Sequence, residues 1–287
     1  MLDSSTIQEL VRLLFLRVQR EARSGLTGLY ASRFRGRGLE FAELVEYQDG
    51  DDAGSIDWLA SLRSGRMYRK RYQEEREIPL ILACDCSASI SCQPQVLQAL
   101  REAVALFAGC AASSQDPIGL VFFSDHLERR LPPGRGLRQV RRLLSELYEY
   151  QASGRLTDLA ALFQELGNAF RQPCRILVFS DLYAADYTAA LGRLARIHDV
   201  LVCHLVLPPG QGLPPGVWLE VEDAEQGKRC LFNNMNAENS EKETDFKRQL
   251  QRIRQEILDS GADYLLLPPE QAVATNILQF FRTGISP

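Results

Sequence analysis

From residue 79 onward, short apolar runs alternate with stretches whose apolar residues recur at helical spacing. Leu80–Cys84, Ile118–Phe123, Arg175–Phe179, Val200–Val206 and Tyr264–Leu267 are largely apolar without alternation, the pattern of strands buried on both faces. Between them, Val96, Leu97, Leu100, Val104, Phe107 and Ala108 trace one helical face, and Leu159, Leu162, Phe163, Leu166 and Phe170 trace another. Gly136–Tyr150, Thr188–Ile197, Lys247–Leu258 and Gln271–Phe281 read as further helices, the last beginning after Pro268-Pro269 breaks the chain. This alternation predicts an α/β fold, a doubly wound and mostly parallel sheet with right-handed crossovers.

Two stretches depart from that rhythm. Residues 207–240 carry Pro208-Pro209-Gly210 and Pro214-Pro215-Gly216, and within them Val217–Val221 and Lys228–Phe232 predict an inserted β-hairpin. Residues 33–77 precede the first sheet strand. There Phe41–Tyr47, Ile56–Leu62 and Met67–Gln73 read as strands of a small β-rich module, with an amphipathic helix over residues 5–22 leading into it. The expected division is 1–77 for helix and module, and 78–287 for the main domain with an insertion at about 207–240.

Composition narrows the class. A chain of 287 residues with 45% hydrophobic and 24% charged positions suits a soluble globular protein. Its net charge of −4 argues against a dedicated nucleic-acid or anionic-membrane binder. Arg33, Arg35, Arg37, Arg63, Arg66, Arg69, Lys70 and Arg71 form a local basic group, but Glu74, Glu75 and Glu77 offset part of it. Near the N-terminus, Glu9, Arg12 and Arg17 interrupt the apolar stretch, so no membrane span or signal peptide is predicted there. Seven cysteines without a regular framework imply reduced thiols and a cytoplasmic location.

The chemistry concentrates where strands end. Asp85-Cys86-Ser87-Ala88-Ser89 closes the first buried run, Thr157 opens a later helix, and Asp181 follows another buried run. Carboxylate and hydroxyl oxygens suit a hard divalent cation, Mg²⁺ or else Mn²⁺ or Ca²⁺, and the carboxyl ends of strands are where open α/β sheets place ligands. The plainer alternative makes Ser87 or Ser89 a cap of the helix near Pro94, Thr157 or Asp158 a cap of the next, and Asp181 an ordinary loop acid. A second chemical reading joins Asp51, Asp57 and Asp85 in a two-metal hydrolase such as a phosphoesterase. Against it, Asp49-Gly50-Asp51-Asp52 has the composition of a turn, and Asp57 beside Trp58 suits a local structural role. Cys84, Cys86 and Cys92 match no common zinc spacing, and His126, His198 and His204 suggest no triad.

Asp85, Ser87 and Ser89, then Thr157, then Asp181, follow the order of the metal-ion-dependent adhesion site of von Willebrand factor A domains, and residues 79–287 resemble that fold. Upstream, Gly36-Arg37-Gly38-Leu39-Glu40-Phe41, Glu46-Tyr47-Gln48-Asp49-Gly50-Asp51-Asp52, Ile56-Asp57-Trp58 and Tyr72-Gln73-Glu74-Glu75-Arg76 sharpen the likeness. With them the chain resembles a bacterial and archaeal family of uncharacterised von Willebrand factor A-like proteins, typically encoded beside MoxR-type AAA+ ATPases. The resemblance implies a strand order 3-2-1-4-5-6 with one antiparallel strand. It implies direct metal contacts from Ser87, Ser89 and Thr157, with Asp85 and Asp181 acting mainly through bound water. It also implies a metal-dependent interaction module rather than an enzyme, an adaptor or co-chaperone that binds an acidic residue of its partner through the cation. Many members carry N-terminal transmembrane helices; the interrupted N-terminus here places the chain with the soluble branch. Cys86 stands where a hydrophobic or small residue is more usual.

Overall fold

The buried apolar runs meet in one six-stranded sheet. A computed structural model describes residues 25–34, 41–48, 50–72, 78–151, 156–206, 218–222, 229–233 and 239–283. In chain order the elements are α1 (Thr27–Phe34), β1 (Phe41–Glu46), a 3₁₀ turn (Ala53–Ser55), α2 (Trp58–Ser64) and β2 (Tyr68–Tyr72). Then come β3 (Leu80–Asp85), α3 (Ala88–Ser91), α4 (Pro94–Ser113), β4 (Ile118–Phe123), β5 (Leu127–Gly134) and α5 (Gly136–Glu149). The remainder is α6 (Leu159–Ala169), β6 (Arg175–Ser180), α7 (Thr188–Ala195), β7 (Asp199–Leu205), β8 (Trp218–Glu222), β9 (Arg229–Asn233), α8 (Asn239–Asp259), β10 (Asp263–Leu267) and α9 (Val273–Thr283). The chain divides into two compact units, residues 1–30 with 78–287, and residues 31–77.

In the larger unit the strands lie in the order β5-β4-β3-β6-β7-β10. Counted as they enter the sheet, that is 3-2-1-4-5-6. Within this six-stranded sheet only the β4–β5 pairing is antiparallel. The architecture is therefore the doubly wound sheet expected from the sequence, in the order that the von Willebrand factor A resemblance implies. Every residue of β3, β4 and β6 is buried, because helices cover both faces and leave no side chain of these strands in water.

One face packs Ile81, Val121, Ile176 and Val178 against Leu162, Leu191 and Ile257 from α6, α7 and α8. The other carries an aromatic cluster. Phe107 of α4 meets Phe179 of β6 and Phe281 of α9 edge-on, with ring centroids 6.1 and 6.0 Å away, and Tyr30 of α1 reaches Phe281 at 6.2 Å. The α4 helix is long and apolar enough to cross a membrane, but most of it is buried within this protein, as a central helix of a doubly wound sheet is.

β5 is absent from the strands read in the sequence. Its Leu127-Glu128-Arg129-Arg130-Leu131-Pro132-Pro133-Gly134 is mostly exposed and contains two prolines. An edge strand needs neither continuous burial nor every N–H. The insertion forms the expected antiparallel hairpin, with Trp218 opposite Asn233 and Glu222 opposite Arg229. The helix expected over residues 5–22 lies outside the described residues, as do the motif residues 36–40, Asp49 and 73–76.

The smaller unit corrects one expectation. β1 and β2 pair antiparallel, but Ile56–Leu62 is not a strand. Ile56 makes a single bridge to Arg69, and the chain then turns into α2. Asp57 is the N-cap: its Oδ1 accepts from the amides of Leu59 and Ala60, each at 3.0 Å. Gly65, at φ 72°, ends the helix in the left-handed conformation that glycine adopts without a Cβ clash. Ser61 Oγ also accepts the Tyr68 amide at 2.8 Å. Polar caps therefore hold a helix that buries none of its own residues. Replacing the cap by Asp57→Ala is expected to cost about 1 kcal/mol locally. Amide exchange at Leu59 and Ala60 should then quicken roughly five-fold; an unchanged rate would show that the cap does not hold the helix.

Candidate metal centre

β3 delivers Asp85 to the carboxyl edge of the sheet, buried to 1% exposure. Its two oxygens are both engaged: Oδ1 accepts from the Ser87 amide at 2.9 Å, and Oδ2 accepts from the Ser180 hydroxyl at 2.6 Å. Ser180 closes β6, the parallel neighbour of β3, so the pairing of two strands sets this contact. Ser180 Oγ also accepts the Leu182 amide at 3.1 Å, which ties the loop carrying Asp181 to Asp85.

Ser87 occupies the N-cap position of α3, yet its side chain makes no capping bond. Its Oγ lies 2.9 Å from Ser89 Oγ instead. The capping role weighed for Ser87 is therefore not the one it takes, and α4, which begins at Pro94, has Gln93 at its N-cap. Asp158 is the residue that caps α6, accepting from the Ala161 amide at 2.9 Å. Thr157 immediately precedes it and is half-buried. The Asp158 amide donates to the Ser124 carbonyl at 3.1 Å, just beyond the end of β4, which anchors the Thr157 loop to the same edge of the sheet that carries Asp85.

Asp181 follows β6 directly. Its Oδ1 accepts the Tyr183 amide at 3.1 Å, and Leu182, which follows it, sits at φ 57°. A leucine in the left-handed region costs about 1 kcal/mol, and the buried Leu182 side chain together with its bond to Ser180 holds that turn. The structure thus brings Asp85, Ser87 and Ser89 together by direct bonds. Asp181 joins them through Ser180 and through its charge, and Thr157 through the anchored loop.

Electrostatics mark this edge. Burial, with the negative charge of Asp181 adding to it, raises the Asp85 carboxyl to about 7, while bonds from Ser180 and Ser87 offset part of that. Two acids and several hydroxyls gather at this strand end. This oxygen donor set fits Mg²⁺, Mn²⁺ or Ca²⁺ rather than a thiolate-loving metal. The Cys86 thiol, next to Asp85 in the chain, is pushed far above its usual range by burial, and its Sγ donates to the Cys84 carbonyl at 3.5 Å.

Two participants were not read from the sequence. Ser180, the last residue of a buried strand beside Asp181, carries a usable signal in that position. His204 is the penultimate residue of β7 and sits beside Ser180 in register. Its Nε2–H donates to the Asp181 carbonyl at 3.1 Å, and its Nδ1 accepts from the Tyr264 hydroxyl at 2.8 Å. Those partners suit a neutral ring, and burial lowers its pKa to about 4. An unfolded histidine titrates near 6.5, so its stabilising contribution is complete above that pH and is lost as pH falls from about 6.5 toward 4. The unfolding free energy of the parent relative to His204→Gln should shrink by about 2 kcal/mol between pH 7 and pH 4.5; a pH-independent difference would refute it. Comparing two proteins that both retain Asp85 removes the opposing contribution of that residue.

The acids proposed for a second metal are occupied locally. Asp51 Oδ2 accepts the Gln48 amide at 3.0 Å and forms an ion pair with Arg69, whose Nε lies 2.8 Å away, and Asp57 is the cap of α2. Arg69 is thereby paired, and Arg66 lies 3.6 Å from Glu46, which reduces the free positive charge of the basic group.

A family model described as a protein of unknown function, DUF58, matches residues 43–256. An uncharacterized protein of Mycobacterium tuberculosis is 24% identical over 234 residues, covering 79% of this chain and 73% of its own. Among solved structures, an aerotolerance-related membrane protein from Bacteroides fragilis aligns with 14% identity and a TM-score of 0.47, over 71% of this chain and 98% of that one. The SpRpn10 VWA domain aligns with 13% identity and a TM-score of 0.41, over 70% of this chain and 93% of that domain.

Proposed function

From the premise that this chain belongs to the DUF58 family, whose function is unknown, we propose that it is a metal-dependent protein-interaction module built on a von Willebrand factor A-like sheet. The observation that carries this reading is the Ser87–Ser89 hydroxyl pair at 2.9 Å beside the buried Asp85, on the sheet edge shared with Asp181 and the Thr157 loop. Ser87, Ser89 and Thr157 would bind Mg²⁺ directly, and Asp85 and Asp181 would hold its waters. Mostly neutral inner ligands leave the cation electron-poor, so a Glu or Asp of a partner replaces a water favourably.

The family resemblance extends the proposal to the partner: a MoxR-type AAA+ ATPase, with this chain as its adaptor or co-chaperone in the cytoplasm. The role is binding rather than turnover. The alternative of a phosphoesterase is disfavoured by the local engagement of Asp51 and Asp57. Calorimetric titration of the purified chain with Mg²⁺ is the test. Saturable binding that EDTA reverses supports the proposal, and no binding at millimolar Mg²⁺ ends it.

A further inference from the structure

Beside Asp85 the protein has a cavity of about 330 Å³, walled by Leu97, Leu100, Phe122 and Leu147 and bordered by Arg101 and Tyr150. Its lining is mostly apolar, and Arg101 is its one cation among the described residues. The Arg101 guanidinium lies over the Tyr148 ring at 4.3 Å, and its Nε is buried with no hydrogen-bond partner among the described residues. Burial also lowers the Arg101 pKa, so the charge is held in a place that solvates it poorly. Asp85 is the carboxylate of this lining among the described residues; the Tyr150 hydroxyl donates to Glu128 at 2.7 Å, and the Tyr150 ring stacks on Phe122 at 4.0 Å. The Arg101 side chain is half-buried, and an incoming carboxylate would meet a charge that its surroundings solvate poorly.

We propose that this cavity sets the specificity of the docking site: it seats a large apolar side chain of the partner segment, and Arg101 pairs with a second carboxylate of that segment. The occupant is a short acidic–apolar stretch of a partner protein. One acid reaches the metal at Asp85, an apolar residue fills the space between, and another acid meets Arg101. The inference rests on the metal-dependent docking proposed above. The argument for this occupant is charge: a cation at each end of an apolar hollow selects a segment with anions flanking a hydrophobe. A space of that volume is roughly 9 Å across, which about three extended residues span, so the two acids should lie two to four positions apart. A flat acidic surface could satisfy the metal but would leave the hollow unfilled.

The test is a selection of peptides from a random displayed library on the full chain in Mg²⁺, collecting those released by EDTA. The expected consensus is an acid, a Leu, Met or Phe, and a second acid within that spacing. A fluorescent copy of a selected peptide should bind at least about ten-fold more weakly to Leu97→Trp, which fills the hollow, and to Arg101→Gln, which removes the cation. Both variants should bind Mg²⁺ as the parent does by calorimetry. A consensus with an acid alone, or variant affinities within two-fold of the parent, overturns the pocket while leaving metal-dependent docking in place. A selection that yields no EDTA-released peptide overturns both.

Discussion

The Ser87→Ala/Ser89→Ala double variant is expected to bind Mg²⁺ at least about 100-fold more weakly than the parent, since losing even an outer-shell partner of a metal costs 10- to 100-fold. The prediction is sharp because the double replacement removes both ends of one hydrogen bond. Ser87 and Ser89 are 2.9 Å apart and face each other. Deleting both avoids an orphaned buried hydroxyl, and paired deletion of that kind is close to neutral for stability. In EDTA the variant should therefore melt within about 3 °C of the parent. In Mg²⁺ at 100 times its dissociation constant the parent should gain about 2.7 kcal/mol, and the double variant should gain almost nothing. Equal Mg²⁺ affinity in both proteins would remove the two serines from the centre. A large loss of melting temperature in EDTA would instead make them structural.

The second large effect is in the core. Phe107→Ala should destabilise the protein by about 3–5 kcal/mol, read as a lower urea midpoint. Phe107 is buried to 1% exposure and touches aromatic rings of both the sheet and the C-terminal helix. Its removal opens a cavity whose walls belong to different elements, so a collapse that refills the space must move a helix. The folded fraction should still bind Mg²⁺, because Phe107 packs against the apolar face of β6 through Phe179 and not against the acids at the strand end. A destabilisation under about 1 kcal/mol would mean that the aromatic cluster repacks freely.

Much of the sheet was legible because a strand buried on both faces has little choice of residue. Leu80–Cys84 and Ile118–Phe123 are apolar at every place that both helical layers cover, and their ends fell within a residue of those read. The edge strand β5 was not legible. Half solvated, it is free to carry Arg129, Arg130 and two prolines, which read as a loop. The misreading of Ile56–Leu62 has a different cause. Ile56, Trp58 and Leu62 suggest a strand by residue type, but Asp57 and Gly65 mark a short helix at both ends, and those caps outweighed the apolar content.

At the candidate site, Asp85, Ser87, Ser89, Thr157 and Asp181 stand out in the sequence because their order along the chain is itself informative. Ser180 and His204 do not, because what they do depends on which strands are neighbours. Ser180 reaches Asp85 across the β3–β6 pairing, and His204 reaches Asp181 across β6–β7. Neither relation has a local signature.

The same outer strand that hid from the sequence has a consequence for how copies of this protein behave when crowded. Pro132 and Pro133 lack amide hydrogens, and Arg129 and Arg130 are solvent-facing charges on the last strand of that side. A foreign strand laid alongside would find missing donors and repelling side chains, so this margin of the sheet resists fibril-like growth. At this margin the strand order therefore ends in a surface that an incoming backbone pairs with poorly.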